Sequence, residues 1–145
     1  MSKDNPLHTK EERRVHMDLQ LQRYDIIKAE IKYKGMGSVQ TNERPYVIIS
    51  NPIGTKHATI ITVMALTSKI KKLNMPVHSC IHADNDNGLT EYSMALGEQL
   101  FTISKEEVKE KLGTVTSKEE KKLIDKACFN GLFYGTEYRL EEVNA

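Results

Sequence analysis

A small, mainly β domain with one long helix towards its C-terminal end is the fold class the sequence predicts, and three observations predict it. Short apolar runs recur: Tyr46 to Ser50 and Ile60 to Leu66 read as central strands, while Ile27, Ala29 and Ile31 alternate with Lys28 and Glu30 as in a strand with one buried and one wet face. Turn-forming clusters separate the runs, Asn51-Pro52-Ile53-Gly54 in one gap and Asp84-Asn85-Asp86-Asn87-Gly88 in another. Near the end the period changes, and Leu123, Ile124, Ala127, Cys128 and Leu132 form one stripe at helical spacing that stops near Gly135. Short antiparallel strands with a terminal helix suggest a small closed or half-closed sheet.

The remaining elements follow in order. Residues 1–23 are polar and charged, and Thr9 with Glu12 has the spacing of a capping box for a short helix, although Val15, Met17, Leu19 and Leu21 also alternate as a strand would. The surrounding residues favour helix there. Val77 to His82 and Leu96 to Ile103 are further strand candidates. Ser104 with Glu107, and Thr116 with Glu119, have capping-box spacing too; the first opens a short helix and the second the long one. No internal repeat is visible.

Composition bounds the function without naming it. A chain of 145 residues that is 39% apolar fits one domain with a modest core. Its 21 basic and 20 acidic residues leave a net charge of +1, so the overall field neither draws in nucleic acid nor repels it. The longest apolar segment, Ile60 to Leu66, is too short to span a bilayer, and the charged start lacks the apolar core of a signal peptide. A soluble cytoplasmic protein without a membrane partner is the expectation, with Cys80 and Cys128 as free thiols.

The most informative stretch is GSVQTNERP at residues 37–45, followed by the strand-like Tyr46-Val47-Ile48-Ile49. It sets polar groups and one arginine at the mouth of a buried strand. Gly35 and Gly37 supply flexible backbone and free amides, Ser38 and Gln40 add donors, and Arg44 offers a planar fork suited to phosphate. Pro45 fixes the chain where the strand begins. Thr67 and Ser68 follow the second apolar run, where a strand end would lift their hydroxyls towards the Arg44 loop. By themselves they read first as strand-end caps. Lys69, Lys71 and Lys72 come next, a solvated charge run that can track an RNA backbone if it borders a phosphate site.

Taken in order, GSVQTNERPYVIISN at 37–51, ALTSKIKK at 65–72 and EQLFTISKEEVKEKLG at 98–113 resemble the MazF/PemK family of toxin endoribonucleases. The resemblance runs from about Tyr24 to Gly135. It implies an SH3-like barrel of the CcdB/PemK type with inserted and appended helices, preceded here by an extension at 1–23 and followed by a tail at 136–145. It also implies cleavage of single-stranded RNA without a metal or other cofactor, a homodimer, and neutralisation by a cognate antitoxin protein. Arg44 then matches the arginine that contacts the scissile phosphate, Thr67 its partner, and Ser38, Gln40, Ser68, Lys69, Lys71 and Gln99 an RNA groove.

Two positions depart from the family pattern. Val39 stands where several relatives carry a glutamate with an acid or base role, which leaves the general base unassigned even with Glu43 nearby. Phe101 replaces an arginine in Glu98-Gln99-Leu100-Phe101-Thr102-Ile103, removing a cation but offering a ring for base stacking. His78, Cys80 and His82 alternate and would share one strand face, yet same-face neighbours rarely converge as three zinc ligands, so no metal site is expected. Two rival functions remain open: a gyrase poison of the CcdB type, with its contacts on the terminal helix, and an RNA-binding module without activity.

Overall fold

The computed structural model describes residues 20–31 and 43–136. The helix expected after Thr9, Ser38, Val39 and Gln40, and most of the C-terminal tail lie outside them.

Among the described residues, six strands form one antiparallel sheet. They are β1 (Asp25–Glu30), β2 (Glu43–Ile48), β3 (Ile60–Thr67), β4 (His78–Ile81), β5 (Ser93–Ser104) and β6 (Val108–Thr114), in the spatial order β4-β5-β3-β2-β1-β6. A short helix α1 (Pro52–His57) joins β2 to β3, a single 3-10 turn (Lys105–Glu107) joins β5 to β6, and helix α2 (Lys118–Phe133) follows β6.

Strand alternation divides the interior into two cores. Ile27, Tyr46, Ile48, Ile61, Val63, Ala65, Leu96, Phe101, Ile103 and Val108 belong to one cluster that draws on β1, β2, β3, β5 and β6, so the sheet curls around its own inner face. The odd partners of those residues, Ile26, Val47, Met64, Leu66, Ile81 and Ala95, meet Val115, Ile124 and Ala127 beneath α2. Both faces of the central strands are therefore covered, which is why β2 and β3 read as unbroken apolar runs rather than alternating ones. The mainly β barrel-type fold with a C-terminal helix is the observed one.

The differences from expectation have local reasons. The turn at Asn51-Pro52-Ile53-Gly54 is the start of α1: the Asn51 side chain accepts from the Gly54 amide at 2.7 Å, with Pro52 in the first turn. Ser104 and Glu107 do form the expected capping box, but it opens only a 3-10 turn, and the chain then returns as β6. The charged run of β6 gave no apolar strand signal. It is a strand by pairing with β1, and across that pair Lys28 lies 3.9 Å from Glu110 and Lys111 3.2 Å from the buried Asp25. The N-cap of α2 is Ser117 instead of Thr116, accepting from the Glu120 amide at 3.2 Å.

Helix α2 buries only part of the predicted stripe, Ile124 and Ala127 with Cys128 packed beside them. Glu120, Ile124 and Ala127 are buried, while Leu123 and Leu132 are exposed, Leu132 by 63%. Two glycines decide this. A Cβ on Gly131 would lie 2.0 Å from the Gly97 carbonyl oxygen, and one on Gly97 would lie 2.1 Å from that of Ala127. Backbone meets backbone there, and only glycine permits it. The helix closes as expected around Gly135, which takes a φ of 87°.

Candidate active site

Three residue pairs fix how β2 lies on β3: Tyr46 opposite Ala65, Val47 opposite Met64 and Ile48 opposite Val63. Two residues beyond the pair of Tyr46 and Ala65, along both strands, come Arg44 on β2 and Thr67 on β3. Arg44 shares the parity of Tyr46 and Ile48, and Thr67 that of Ala65 and Val63, so both project from the inner face, away from α2. Here the apolar strand interiors give way to one guanidinium and one hydroxyl. Flanking strands hold the pair in place, since Arg44 is registered with Ala29 of β1 and Thr67 with Met94 of β5.

Thr67 is buried, and its Oγ1 accepts from the Lys69 amide at 3.1 Å. That bond is the strand-end cap the sequence allowed for. It uses one acceptor pair of the hydroxyl and orients the oxygen, while the O–H donor is a separate capacity. Arg44 is half-buried. Its charge is felt by the fully buried phenol beside it: burial pushes Tyr46 above its usual range, and the Arg44 guanidinium offsets part of that rise. Ser68, Lys69 and Lys71 are exposed in the loop after β3.

Gln99 lies in a bulge. The β3–β5 register jumps from Met64 opposite Leu100 to Ala65 opposite Leu96, so Gly97, Glu98 and Gln99 form an outward kink in β5. Arg44 and Thr67 thus lie at the ends of adjacent strands, just past their last registered pair, and Ser68, Lys69, Lys71 and Gln99 lie in the loop after β3 and the bulge of β5. Ser38 and Gln40 belong to the segment outside the described residues.

Several candidates go elsewhere. Glu43 has the parity of Val47 and pairs with Lys28 at 3.9 Å on the helix side, so it is not on the face of Arg44. Phe101 is only 9% exposed and meets Tyr46 edge-on with ring centroids 6.1 Å apart, so it fills the inner core and is no stacking platform. The His78, Cys80 and His82 trio does not converge. His78 bonds to the Lys72 carbonyl oxygen and to Glu98, each at 2.9 Å, whereas His82 turns to Glu120 at 3.2 Å. Among the described residues no group of three His, Cys, Asp or Glu side chains is arranged to hold a metal ion. The sequence reading missed Glu98 altogether and weighed His78 only as a ligand; the inward alternation of β4 was the available signal, but the partner lies 20 residues away.

Residues 22–128 match the family described as PemK-like, MazF-like toxins of type II toxin-antitoxin systems. The chain belongs to that family. It is 37% identical over 87 residues to the endoribonuclease MazF of Staphylococcus saprophyticus, which covers 60% of this chain and 72% of that protein. Among solved structures, a mycobacterial endoribonuclease in complex with its cognate antitoxin superposes with a TM-score of 0.63 at 21% identity, over 82% of this chain and 99% of the other. MazF from Deinococcus radiodurans gives 0.61 at 13% identity, over 79% and 94%. At those identities the structural likeness speaks for the fold of this MazF/PemK-type toxin. No helix among its described residues is long and apolar enough to cross a membrane.

Proposed function

We propose that this toxin is an endoribonuclease that cuts single-stranded RNA by transesterification, without a metal ion, at the paired side chains Arg44 and Thr67. What supports the reading is that Arg44 and Thr67 follow the pair of Tyr46 and Ala65 by two residues on neighbouring strands, with the alternation of the inner-core residues Tyr46, Ile48, Val63 and Ala65, where two largely apolar strands turn polar. The 2′-hydroxyl gives up its proton to solvent as it attacks the adjacent phosphorus, the bond to the 5′ oxygen breaks, and that oxygen takes up a proton from solvent to leave as a 5′-hydroxyl. A 2′,3′-cyclic phosphate remains. Negative charge grows on the non-bridging oxygens as the phosphorus becomes five-coordinate, and the Arg44 guanidinium stabilises it while the Thr67 hydroxyl donates to the same group.

Ser38, Gln40, Ser68, Lys69, Lys71 and Gln99 hold the flanking strand in this reading. Exposed lysines serve this purpose well, since phosphate neutralisation needs charge more than fixed geometry. The proposed partners are single-stranded RNA, a cognate antitoxin protein and a second copy of the chain. An exposed aromatic end of α2, with Phe129 and Phe133 rings 5.2 Å apart beside Leu132, supports association. Sedimentation at micromolar concentration tests the homodimer.

The chemistry is tested by mapping the ends produced from a long RNA, with EDTA present and with 2′-deoxyribose placed 5′ of the cut. Defined breaks should persist with the chelator and vanish with the deoxy substitution. Cutting of the deoxy-substituted strand, or loss of activity in EDTA with the fold intact, overturns the mechanism. Binding without breaks would make the chain an RNA-binding module.

A further inference from the structure

The loop after Thr67 and the bulge of β5 meet at a single side chain. His78, at the start of β4, is 5% exposed, and both of its ring nitrogens are engaged: Nδ1 with the carbonyl oxygen of Lys72 and Nε2 with Oε2 of Glu98, each at 2.9 Å. A backbone carbonyl and a carboxylate both accept. The ring is thus held at both ends, each nitrogen within hydrogen-bond distance of an oxygen on a different segment.

The two acceptors sit at informative places. Lys72 has a φ of 50°, a left-handed conformation that a non-glycine residue holds only when its surroundings impose it. Its carbonyl also accepts from the Met75 amide at 3.1 Å, and the His78 amide donates to the Met75 carbonyl at 3.0 Å. The end of the β3–β4 loop is thus tied to the first residue of β4. Glu98 lies inside the β5 bulge, immediately before Gln99, where the Gly97 amide donates to the Val77 carbonyl at 2.8 Å. One ring therefore joins the segment carrying Ser68, Lys69 and Lys71 to the segment carrying Gln99.

We propose that His78 is a positioning residue for the RNA-binding groove, a two-ended clamp that sets the β3–β4 loop against the β5 bulge so that both present to the same strand of RNA. The inference rests on the RNA-cleaving reading above and adds a residue to it. His78 touches no reacting atom. Its loss lets the lysine loop and the bulge move independently, which raises the entropy cost of binding without removing the Arg44 and Thr67 pair.

The test is steady-state cleavage of a defined RNA containing a mapped cut site. His78→Asn places an amide near the Nδ1 position and keeps the bond to Lys72, His78→Gln keeps the bond to Glu98, and Glu98→Ala removes the second acceptor. Each should raise KM by about tenfold, the scale of one strong hydrogen bond, and leave kcat within about twofold. His78→Asn combined with Glu98→Ala should be no worse than either alone, because both cut the same connection. Unchanged KM in folded variants overturns the clamp, and so does a fall in kcat at constant KM, which would put His78 in the chemistry. If the His78 variants fail to fold, Glu98→Ala decides alone, since that carboxylate is half exposed. Arg44→Ala separates the failures: full activity there removes the cleavage reading, whereas an inactive Arg44 variant beside a normal Glu98 variant removes only the clamp.

Discussion

Strands β2 and β3 show two different faces to the rest of the molecule. Towards α2 they present Val47, Met64 and Leu66, all fully buried, against Ile124 and Ala127. Towards the inside of the curled sheet they are equally apolar for most of their length, and then end in Arg44 and Thr67. The helix side has nothing but packing to do, and its closest contact is backbone on backbone at Gly97 and Gly131. The inner side ends in polar groups, a guanidinium on β2 and on β3 a hydroxyl that also caps the strand end. Stability and activity should therefore separate by face, although the residues alternate along the same strands.

The largest effect expected is on the inner face. Arg44→Ala should slow RNA cleavage by about 10² to 10³, the usual cost of removing one donor to transition-state charge, and should leave the thermal midpoint nearly unchanged. Thr67→Ala should act in the same direction, with a small stability loss because the Lys69 amide then lacks its acceptor. Parallel loss of melting temperature and rate in the Arg44 variant would break the comparison.

On the helix side the expectation is reversed. Gly131→Ala forces its methyl into the Gly97 carbonyl and should destabilise by about 1–3 kcal/mol in urea unfolding, with the rate per folded molecule retained. If that variant keeps its stability, the close approach of α2 to β5 does not decide how the helix sits.

A smaller effect belongs to the rim of the same core. Tyr24 donates through its hydroxyl to Asp125 of α2, with the two carboxylate oxygens at 2.9 and 3.0 Å, and Asp125 also meets Arg23 at 3.3 Å. Tyr24→Phe should cost about 1 kcal/mol, the low end for a bond to a charged group at a half-exposed site. Burial, and then the bond to Asp125, hold the Tyr24 phenol above its ordinary value of 10.0. The unfolded chain thus sheds this proton first. The contribution is complete below pH 10 and declines as pH rises beyond it towards the folded value. Tyr24→Phe should flatten part of that alkaline loss, and what remains belongs with Tyr46, whose phenol burial raises as well. A wild-type alkaline profile in the variant would show that the contact does not tie β1 to α2.

By itself the sequence determined the strands whose faces are both buried, because β2 and β3 are continuous apolar runs bounded by turn residues. It also put Arg44 and Thr67 at the ends of those runs, where an apolar pattern stops abruptly, and the site proposed above rests on that placement together with the family resemblance. Local chemistry was legible too, in the Ser104–Glu107 box and in Gly135 at the end of α2. Other features were decided only when distant segments met. β6 is a charged segment whose strand state depends on pairing with β1, and α2 turned its Gly131 face inward because Gly97 of another strand leaves room there. Phe101 and Glu43 changed meaning with their side of the sheet, one becoming core and the other a partner of Lys28. His78 reads as half of a metal motif until Lys72 and Glu98 are beside it. Periodicity reports whether a residue is buried, since burial follows from its own chemistry; what it is buried against is a property of two segments and is fixed only by the tertiary structure.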